Sequence, residues 1–556
     1  MPGTLGPPAH YEPTLESVRR HPVPDWYHDA KLGIFIHWSL SSVPGFAARE
    51  YDIGELFRDH LDEMQQLSPY AEWYQNALRF PGSPAAQYHR ETYGNRPYDA
   101  FREDYLNGLA QWRPQLWAER FAAAGARYVV LVTKHHDGFC LWPSRVPHPR
   151  KPDWYTPRDV VGELAAAVRA RGMKFGVYYS AGLDWTFDAR RIASLGDLMA
   201  ALPLGDYPAF ADAQLRELIE RYRPDVLWND IAWPGDQASF LRLVADYYNT
   251  LPEGVINDRW LAASWLTRAV KLAPVRALVD RLLMRRLDRS KGITLPRPPH
   301  CDARTPEYAV FDEIRPEKWE CVRGMDKSFG FNRASRPEDF LSREVLIHSL
   351  CDIASKNGNL LLNVGPRGED AQIPEPQLER LAWLASFTSR SGEALYGTKP
   401  WQRAEGTSAE GIPVRFTQKA GTLYAILLGR PSGLSLTLKD VTLPAGPRGR
   451  LLGGGDLSIL KKGPDLEIQL SAPLPDEPAH AIALTSGREL GVSSKSVGHT
   501  SSREPGPAEP PLCSGGLSEP DEARSCDERV WTRQLGAPPV QRPPQLGVPL
   551  AGEVEA

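Results

Sequence analysis

Six short, nearly unbroken apolar runs punctuate the chain before Gly365. They are Gly33–Trp38 (GIFIHW), Tyr128–His136 (YVVLVTKHH), Phe175–Ser180 (FGVYYS), Val226–Asp230 (VLWND), Val255–Trp260 (VINDRW) and Leu360–Val364 (LLLNV). Little alternation occurs within them, which is how strands buried on both faces read, as in parallel sheets. Helical patterns lie between them. Arg158–Arg171 carries Val161, Leu164, Ala165 and Val168 on one stripe, and Asp212–Tyr222 carries Leu215, Leu218 and Ile219. Phe240–Thr250 and Glu344–Ser355 read the same way. Strand and helix in repetition give right-handed βαβ units. Over residues 31–395 this predicts an α/β chain folded as a (β/α)8-like barrel.

The remaining sequence has other textures. Residues 1–30 are a Pro-rich lead-in with a short helix expected over Thr14–Arg20. Leu261–Lys291 is amphipathic and basic, and predicts a helical insertion over about 261–300, its basic face read as solvated in preference to a face that touches acidic lipid or a partner. After Gly397 come short alternating runs: Ile412–Thr417, Leu423–Leu428, Leu434–Leu438, Leu466–Leu470 and His480–Thr485. Their spacing predicts a small antiparallel β domain over 396–486. Residues 487–556 are Pro-rich and aperiodic, and are expected to be a disordered tail.

Composition excludes several partner classes. Lys+Arg (65) and Asp+Glu (69) nearly cancel, so the basic footprint of a nucleic-acid binder or a polybasic membrane protein is missing from the overall balance. No run of 18 apolar residues occurs, so no transmembrane helix is expected. The N-terminus has neither a basic nor an apolar signal region, and the six Cys follow no disulfide or zinc spacing, so a cytoplasmic protein with reduced thiols is expected. No G-x-G-x-x-G or Walker motif is present, and no cofactor is expected.

In a (β/α) barrel the chemistry sits where strands end. Here the ends carry His37-Trp38, His135-His136-Asp137, Tyr178-Tyr179, Trp228-Asn229-Asp230 with Trp233 beyond, and Asp258-Arg259-Trp260. Aromatic faces beside hydrogen-bonding groups suit a sugar. By strand alternation Val226, Trp228 and Asp230 share a face. If Val226 points into the barrel, Asp230 is a carboxylate at its mouth and a candidate nucleophile, with Trp228 and Trp233 shaping the pocket.

At these residues the sequence resembles the α-L-fucosidases of glycoside hydrolase family 29. The stretches that carry the likeness are GIFIHWSLSSVPGF, PYAEWYQNALRF, TKHHDGFCLWPS, FGVYYSAGLDW, PDVLWNDIAWP, INDRW, RTPEY, KWECVRGMDKSFGFNR and GNLLLNVGP, in order over about 26–485. The resemblance implies a retaining glycosidase on a (β/α) barrel with a C-terminal β-sandwich. It implies Asp230 as nucleophile and Glu307, in RTPEY, as acid/base. It implies His37, Glu72, Trp73, His135, His136, Tyr178, Trp228 and Arg259 as substrate-binding residues, with no metal. The implied partner is a fucosylated oligosaccharide or glycoconjugate, cleaved at its terminal fucose. Two departures stand out. Ser39 replaces the glycine of the family's HWG, and the helical insertion directly precedes Glu307, which leaves Glu313, Glu317 and Glu320 as fallback acids. Two other readings of the residues stay open. One is a metal-dependent hydrolase using His135 and His136, although adjacent residues on a strand face opposite ways. The other is a fucose-binding protein without turnover.

Overall fold

The structure is a computed structural model and describes residues 8–286, 297–443, 446–486 and 524–525. The expected tail at 487–556, apart from Arg524 and Ser525, and the stretch 287–296 of the expected insertion lie outside the described residues.

The strands of the first unit are β1 (Leu32–Ile36), β2 (Tyr128–Lys134), β3 (Lys174–Ser180), β4 (Val226–Asp230), β5 (Val255–Ile256), β6 (Ala309–Val310), β7 (Trp319–Gly324) and β8 (Gly358–Val364). All but β6 form one curled parallel sheet in the order β5-β4-β3-β2-β1-β8-β7. Every residue of β1, β2, β4, β7 and β8 is buried. One alternating set, with Phe35, Tyr128, Val130, Val132, Tyr178, Val226, Trp228, Val322 and Leu361, fills the interior. The other set, with Ile34, Ile36, Val129, Leu131, Val177 and Leu227, packs outward in the main core with the helices. Burial on both faces is the reason the runs show no polar alternation. The register pairs Gly33 with Tyr128, and a side chain at Gly33 would sit 2.3 Å from the Tyr128 ring, so only glycine leaves room for that phenol.

An irregular segment closes the barrel between β5 and β7. Asp302 and Ala303 donate their N–H groups to Ile256 O (3.1 and 3.3 Å). Arg304 N donates to Lys318 O (3.1 Å), Val322 N to Pro306 O (3.0 Å) and Tyr308 N to Val322 O (2.9 Å). Residues 302–308 thus do the work of an eighth strand.

The Val255–Trp260 run is strand only through Ile256. From there the Asn257 side chain takes over the ladder, accepting from Asn229 N (2.9 Å) and donating to Asn229 O (2.8 Å). The run Tyr128–His136 likewise ends at Lys134. Helices form at Val160–Ala170, Tyr207–Tyr222, Gln237–Thr250 and Arg343–Ser355, where the apolar stripes predict them. In the lead-in the helix is Leu15–Val18, with Thr14 as its cap. The described part of the insertion holds helices Trp265–Ala269 and Ala273–Arg286.

The second unit is an eight-stranded antiparallel sheet: β9 (Lys399–Thr407), β10 (Pro413–Lys419), β11 (Thr422–Leu427), β12 (Ser435–Leu438), β13 (Pro447–Leu451), β14 (Asp456–Lys462), β15 (Asp465–Gln469) and β16 (His480–Ser486), ordered β12-β15-β14-β13-β16-β11-β10-β9. Its two ends share one core, with Leu436, Leu438, Leu466 and Ile468 against Val414, Phe416, Ala425 and Leu427, so the sheet folds over into a sandwich. A buried ion pair, Arg415 Nε to Asp352 Oδ1 at 2.5 Å, latches it to the helix Arg343–Ser355. Among the described residues no helix is long and apolar enough to cross a membrane.

Candidate active site

The interior alternation of β4 carries Trp228 inward and puts Asp230 at the strand's end. There it lines a hollow of about 330 Å³ with Phe35, His37, Tyr70, Glu72, Trp73, His135, Tyr178, Trp228, Glu307, Val322 and Phe329. A more open groove elsewhere encloses about 1050 Å³, but its lining, which includes Trp112, Arg113 and Arg158, contains no carboxylate. Of the two, the smaller hollow is the one lined by carboxylates.

Four groups surround the Asp230 carboxylate. Tyr178 Oη donates to Oδ2 at 2.6 Å. Ile231 N and Arg259 Nη1 donate to Oδ1 at 2.8 and 3.2 Å. His136 Nε2 lies 3.9 Å from Oδ2. The Ile231 contact depends on a left-handed backbone (φ 68°), an unfavourable conformation for a β-branched residue. Gly182 presses against that turn: a side chain there would sit 2.5 Å from Ala232 N.

The other arm of Arg259 reaches Glu307, Nη2 to Oε1, at 2.6 Å. Burial works against the Arg259 charge, but Glu307 and Asp230 outweigh it and raise the group above its ordinary value. One guanidinium therefore spaces the two carboxylates across the hollow. Tyr70 Oη is 3.4 Å from Glu307 Oε2. The insertion does not displace Glu307, because its segment is tied down locally. Asp258 Oδ1 accepts from Thr305 N (3.2 Å) and Oγ1 (2.5 Å), Asp258 Oδ2 accepts from Arg304 Nε (3.1 Å), and Arg259 Nη2 donates to Thr305 O (3.2 Å).

The histidines are held neutral. Burial lowers His37 and His136 to about 3, the Lys134 charge adding to the effect at His136, and burial also carries His135 well below its usual range. His37 Nδ1 lies 2.6 Å from Asn363 Oδ1. The Asn363 amide nitrogen donates to Phe329 O, so His37 Nδ1 carries the proton and Nε2 is left as an acceptor. His136 Nδ1 donates to Ser180 Oγ (2.7 Å), whose own proton goes to Leu183 O (2.7 Å). Its Nε2 is thereby also an acceptor. Glu72 is fully buried and is pushed up to about 8 by burial, against the opposing Gly330 N–H that it accepts at 2.7 Å. Near neutral pH it is a carboxylic acid with a proton to donate. Trp73 packs edge-on to His136 at 4.9 Å, and Tyr178 stacks on Trp228 at 5.4 Å.

All ten residues singled out from the sequence meet at this hollow; His136 and Arg259 do so through Asp230. Other expectations are corrected. Trp233 is buried in the outer core, donating to Ser239 Oγ and packing on Trp260, because the chain has already turned at Ile231. His135 and His136 do not face opposite ways: the strand ends before them and their rings lie 3.9 Å apart. Among the described residues, no group of three or more His, Cys, Asp or Glu is arranged to hold a metal. Glu313 and Glu317 are exposed. Glu320 is sealed in the barrel interior, accepting from Tyr27 (2.8 Å), Tyr128 and Trp228 (3.2 Å). Ser39 caps the turn Leu40–Ser42 through a reciprocal pair with Ser42. Tyr70, Ser180, Phe329 and Asn363 were not singled out, and Asp258, at a strand end, reads as a structural cap; all five lie inside quoted stretches, but nothing in the spacing marks them for the site.

Comparisons with known proteins agree in direction. The family model described as alpha-L-fucosidase matches residues 5–393. Human tissue alpha-L-fucosidase is 29% identical over 510 residues, spanning 86% of this chain and 92% of its own length. An alpha-L-fucosidase of Branchiostoma floridae is 30% identical over 445 residues, covering 77% of this chain and 84% of that one. Among solved structures, Thermotoga maritima alpha-fucosidase in complex with fucose superposes with a TM-score of 0.70 at 39% identity, covering 86% of this chain and all of that one. With a family match over residues 5–393 and full-length likeness to these enzymes, the chain belongs to the α-L-fucosidase family.

Proposed function

We propose that the chain is an exo-acting, retaining α-L-fucosidase that removes terminal α-L-fucose from glycans or other glycosides. The observation that carries this reading is the pair Asp230 and Glu307, held by one guanidinium on the walls of one hollow. Retaining hydrolysis needs two carboxyl groups about 5–5.5 Å apart, one to attack and one to protonate. Asp230 attacks C1 while Glu307 gives a proton to the leaving oxygen, forming a β-fucosyl ester. Glu307 then takes a proton from water, which attacks C1, and Asp230 leaves as carboxylate. Tyr178 and Ile231 N orient the nucleophile.

The division of exposure fits these roles. The Asp230 side chain is 12% exposed, whereas that of Glu307 is 32% exposed, as an acid facing the leaving group would be. His37 and His136 offer acceptors, and protonated Glu72 a donor, to sugar hydroxyls. Phe35, Val322 and Phe329 give the deoxy carbon's methyl an apolar wall, where a 6-hydroxyl would lose its hydrogen bonds.

The test uses azide with two variants on an aryl fucoside. Asp230→Gly should be nearly inactive and yield β-fucosyl azide, azide having replaced the nucleophile. Glu307→Ala should be slowed most on poor leaving groups and yield α-fucosyl azide. Wild-type turnover by Asp230→Gly removes the assignment, and a Glu307 variant that gives no azide product passes the acid/base role to another residue.

A further inference from the structure

We propose that the insertion beside the active site is a docking surface for an anionic lipid bilayer. The helix Ala273–Arg286 has one polar, anchored side. Asp280 accepts from Ser194 Oγ (2.9 Å) and Gly196 N (2.7 Å), Arg276 pairs with Asp197 (3.0 Å), and Lys271, just before the helix, pairs with Asp188 (3.0 Å). These contacts fix the helix on the neighbouring helix Leu195–Ala200 and decide which side faces out.

The outward side carries the expected exposed basic residues and, beside them, apolar ones. Pro274, Leu278, Leu282 and Arg285 follow one another at three- and four-residue spacing, with Arg281 beside Leu282, and all five are exposed. Leu278 is 54% and Leu282 44% exposed, Leu272 62%, and Trp265, on the preceding helix, 78%. Four of the eight large hydrophobics most exposed among the described residues thus lie within residues 265–282. Arg268, Arg281 and Arg285 are exposed and make no ion pair among the described residues. Leaving this much apolar surface in water is costly, and such patches mark interaction sites.

The chemistry selects the occupant. Leucines and an indole beside arginines, on a ridge anchored from behind, fit an anionic bilayer surface, where apolar groups and cations both find partners. The indole seats at the headgroup level, the aliphatic groups enter below it, and the guanidinium groups meet lipid phosphates. A second copy of the chain fits poorly, since a two-fold contact would bring Arg281 and Arg285 against themselves.

The helix Leu195–Ala200, on which the patch is anchored, reaches the wall of the hollow. Leu198, on the helix that carries the insertion, packs in one cluster with Trp73 and Ile231. A bilayer bound there would hold membrane-borne fucosylated glycoconjugates near Asp230; that corollary rests on the fucosidase reading, while the docking itself does not.

Flotation of the full chain with vesicles tests it without turnover. Vesicles of phosphatidylcholine with phosphatidylserine should capture the protein, neutral phosphatidylcholine vesicles should not, and raised salt should release it. Leu278→Glu with Leu282→Glu should abolish capture, Trp265→Ala should weaken it, and Arg281→Gln or Arg285→Gln should each cost about fivefold. All should hydrolyse a small aryl fucoside like the wild type, which checks folding. Failure of anionic vesicles to capture the wild type overturns the proposal, as does capture that survives Leu278→Glu with Leu282→Glu. Concentration-dependent dimerisation lost in the same variants, without vesicle binding, assigns the face to a second copy and also overturns it.

Discussion

Arg259 Nη2 and Glu307 Oε1 are 2.6 Å apart, so the guanidinium that pairs with Asp230 also grips Glu307. The guanidinium's second arm holds Asp230, so its planar fork fixes the two carboxyl groups relative to one another. A lysine carries the charge but not the fork. Arg259→Lys should lower kcat by about 10- to 100-fold, the loss of one charge-assisted hydrogen bond worth about 1.5–3 kcal/mol. KM should move less. Steady-state kinetics on an aryl fucoside give both, and an unchanged kcat would show that the carboxylates are spaced without the fork.

Asp258 gives a sharper test of how Glu307 is positioned. Its carboxylate ties down Thr305 and Arg304, two and three residues before Glu307. Under the proposed roles, Asp258→Ala should loosen Glu307 as acid/base and leave the contacts of Asp230 in place. The rate should therefore fall most for fucosides whose leaving group needs a proton, such as alkyl fucosides, and least for a dinitrophenyl fucoside. Equal losses across leaving groups would mean that Asp258 supports the fold and not the proton transfer.

The barrel was legible in the sequence where strands are apolar on both faces, and illegible where charge is buried. Trp319–Gly324 did not read as a strand because Glu320 and Arg323 interrupt it. In the fold Glu320 is satisfied by Tyr27, Tyr128 and Trp228, and the Arg323 guanidinium lies 5.5 Å from the Tyr308 ring centroid, contacts from distant parts of the chain. The closing segment 302–308 has no period at all, and its partners are backbone groups of β5 and β7. In the second unit β14, exposed along most of its length, carries too weak an alternation to be seen.

The site shows the same division. Alternation placed Val226, Trp228 and Asp230 correctly because β4 is regular to its last residue. It failed for His135 and His136, one and two residues past the end of β2, and for Trp233, past the left-handed turn at Ile231. Period arguments hold only as far as the strand does.

That turn is itself open to test. Gly182 N donates to Asp230 O (3.1 Å), and a methyl at Gly182 would collide with Ala232 N at 2.5 Å and Ile231 Cβ at 2.6 Å. Backbone on one side and a packed side chain on the other leave no easy relief. Gly182→Ala should cost about 1–3 kcal/mol of stability, as overpacking does. It should also lower kcat disproportionately, since the displaced turn carries the Ile231 N–H that orients Asp230. Urea unfolding and kcat measured on the same samples separate the two effects. Full activity in a destabilised protein would show that the turn's position is not what aligns the nucleophile.

Glu72 makes stability itself depend on pH. Burial lifts its carboxyl from an ordinary value of 4.5 to about 8 in the folded protein. Below pH 4.5 both folded and unfolded chains hold the proton, and the folded state is favoured in full. Between pH 4.5 and 8 the unfolded chain releases the proton while the folded one keeps it, so stability falls as pH rises, and above 8 the loss is complete. Glu72→Gln keeps an oxygen to accept from Gly330 N and has no proton to lose. Its Tm should therefore decline less than that of the wild type from pH 4.5 to 8, the gap between the two widening steadily with pH. Asp137 and Asp326, each raised by burial to about 6, titrate in both proteins and cancel in the difference. Thermal melts across this range decide the matter: parallel curves for the two proteins would mean that Glu72 enters the hollow as an ordinary ionised carboxylate.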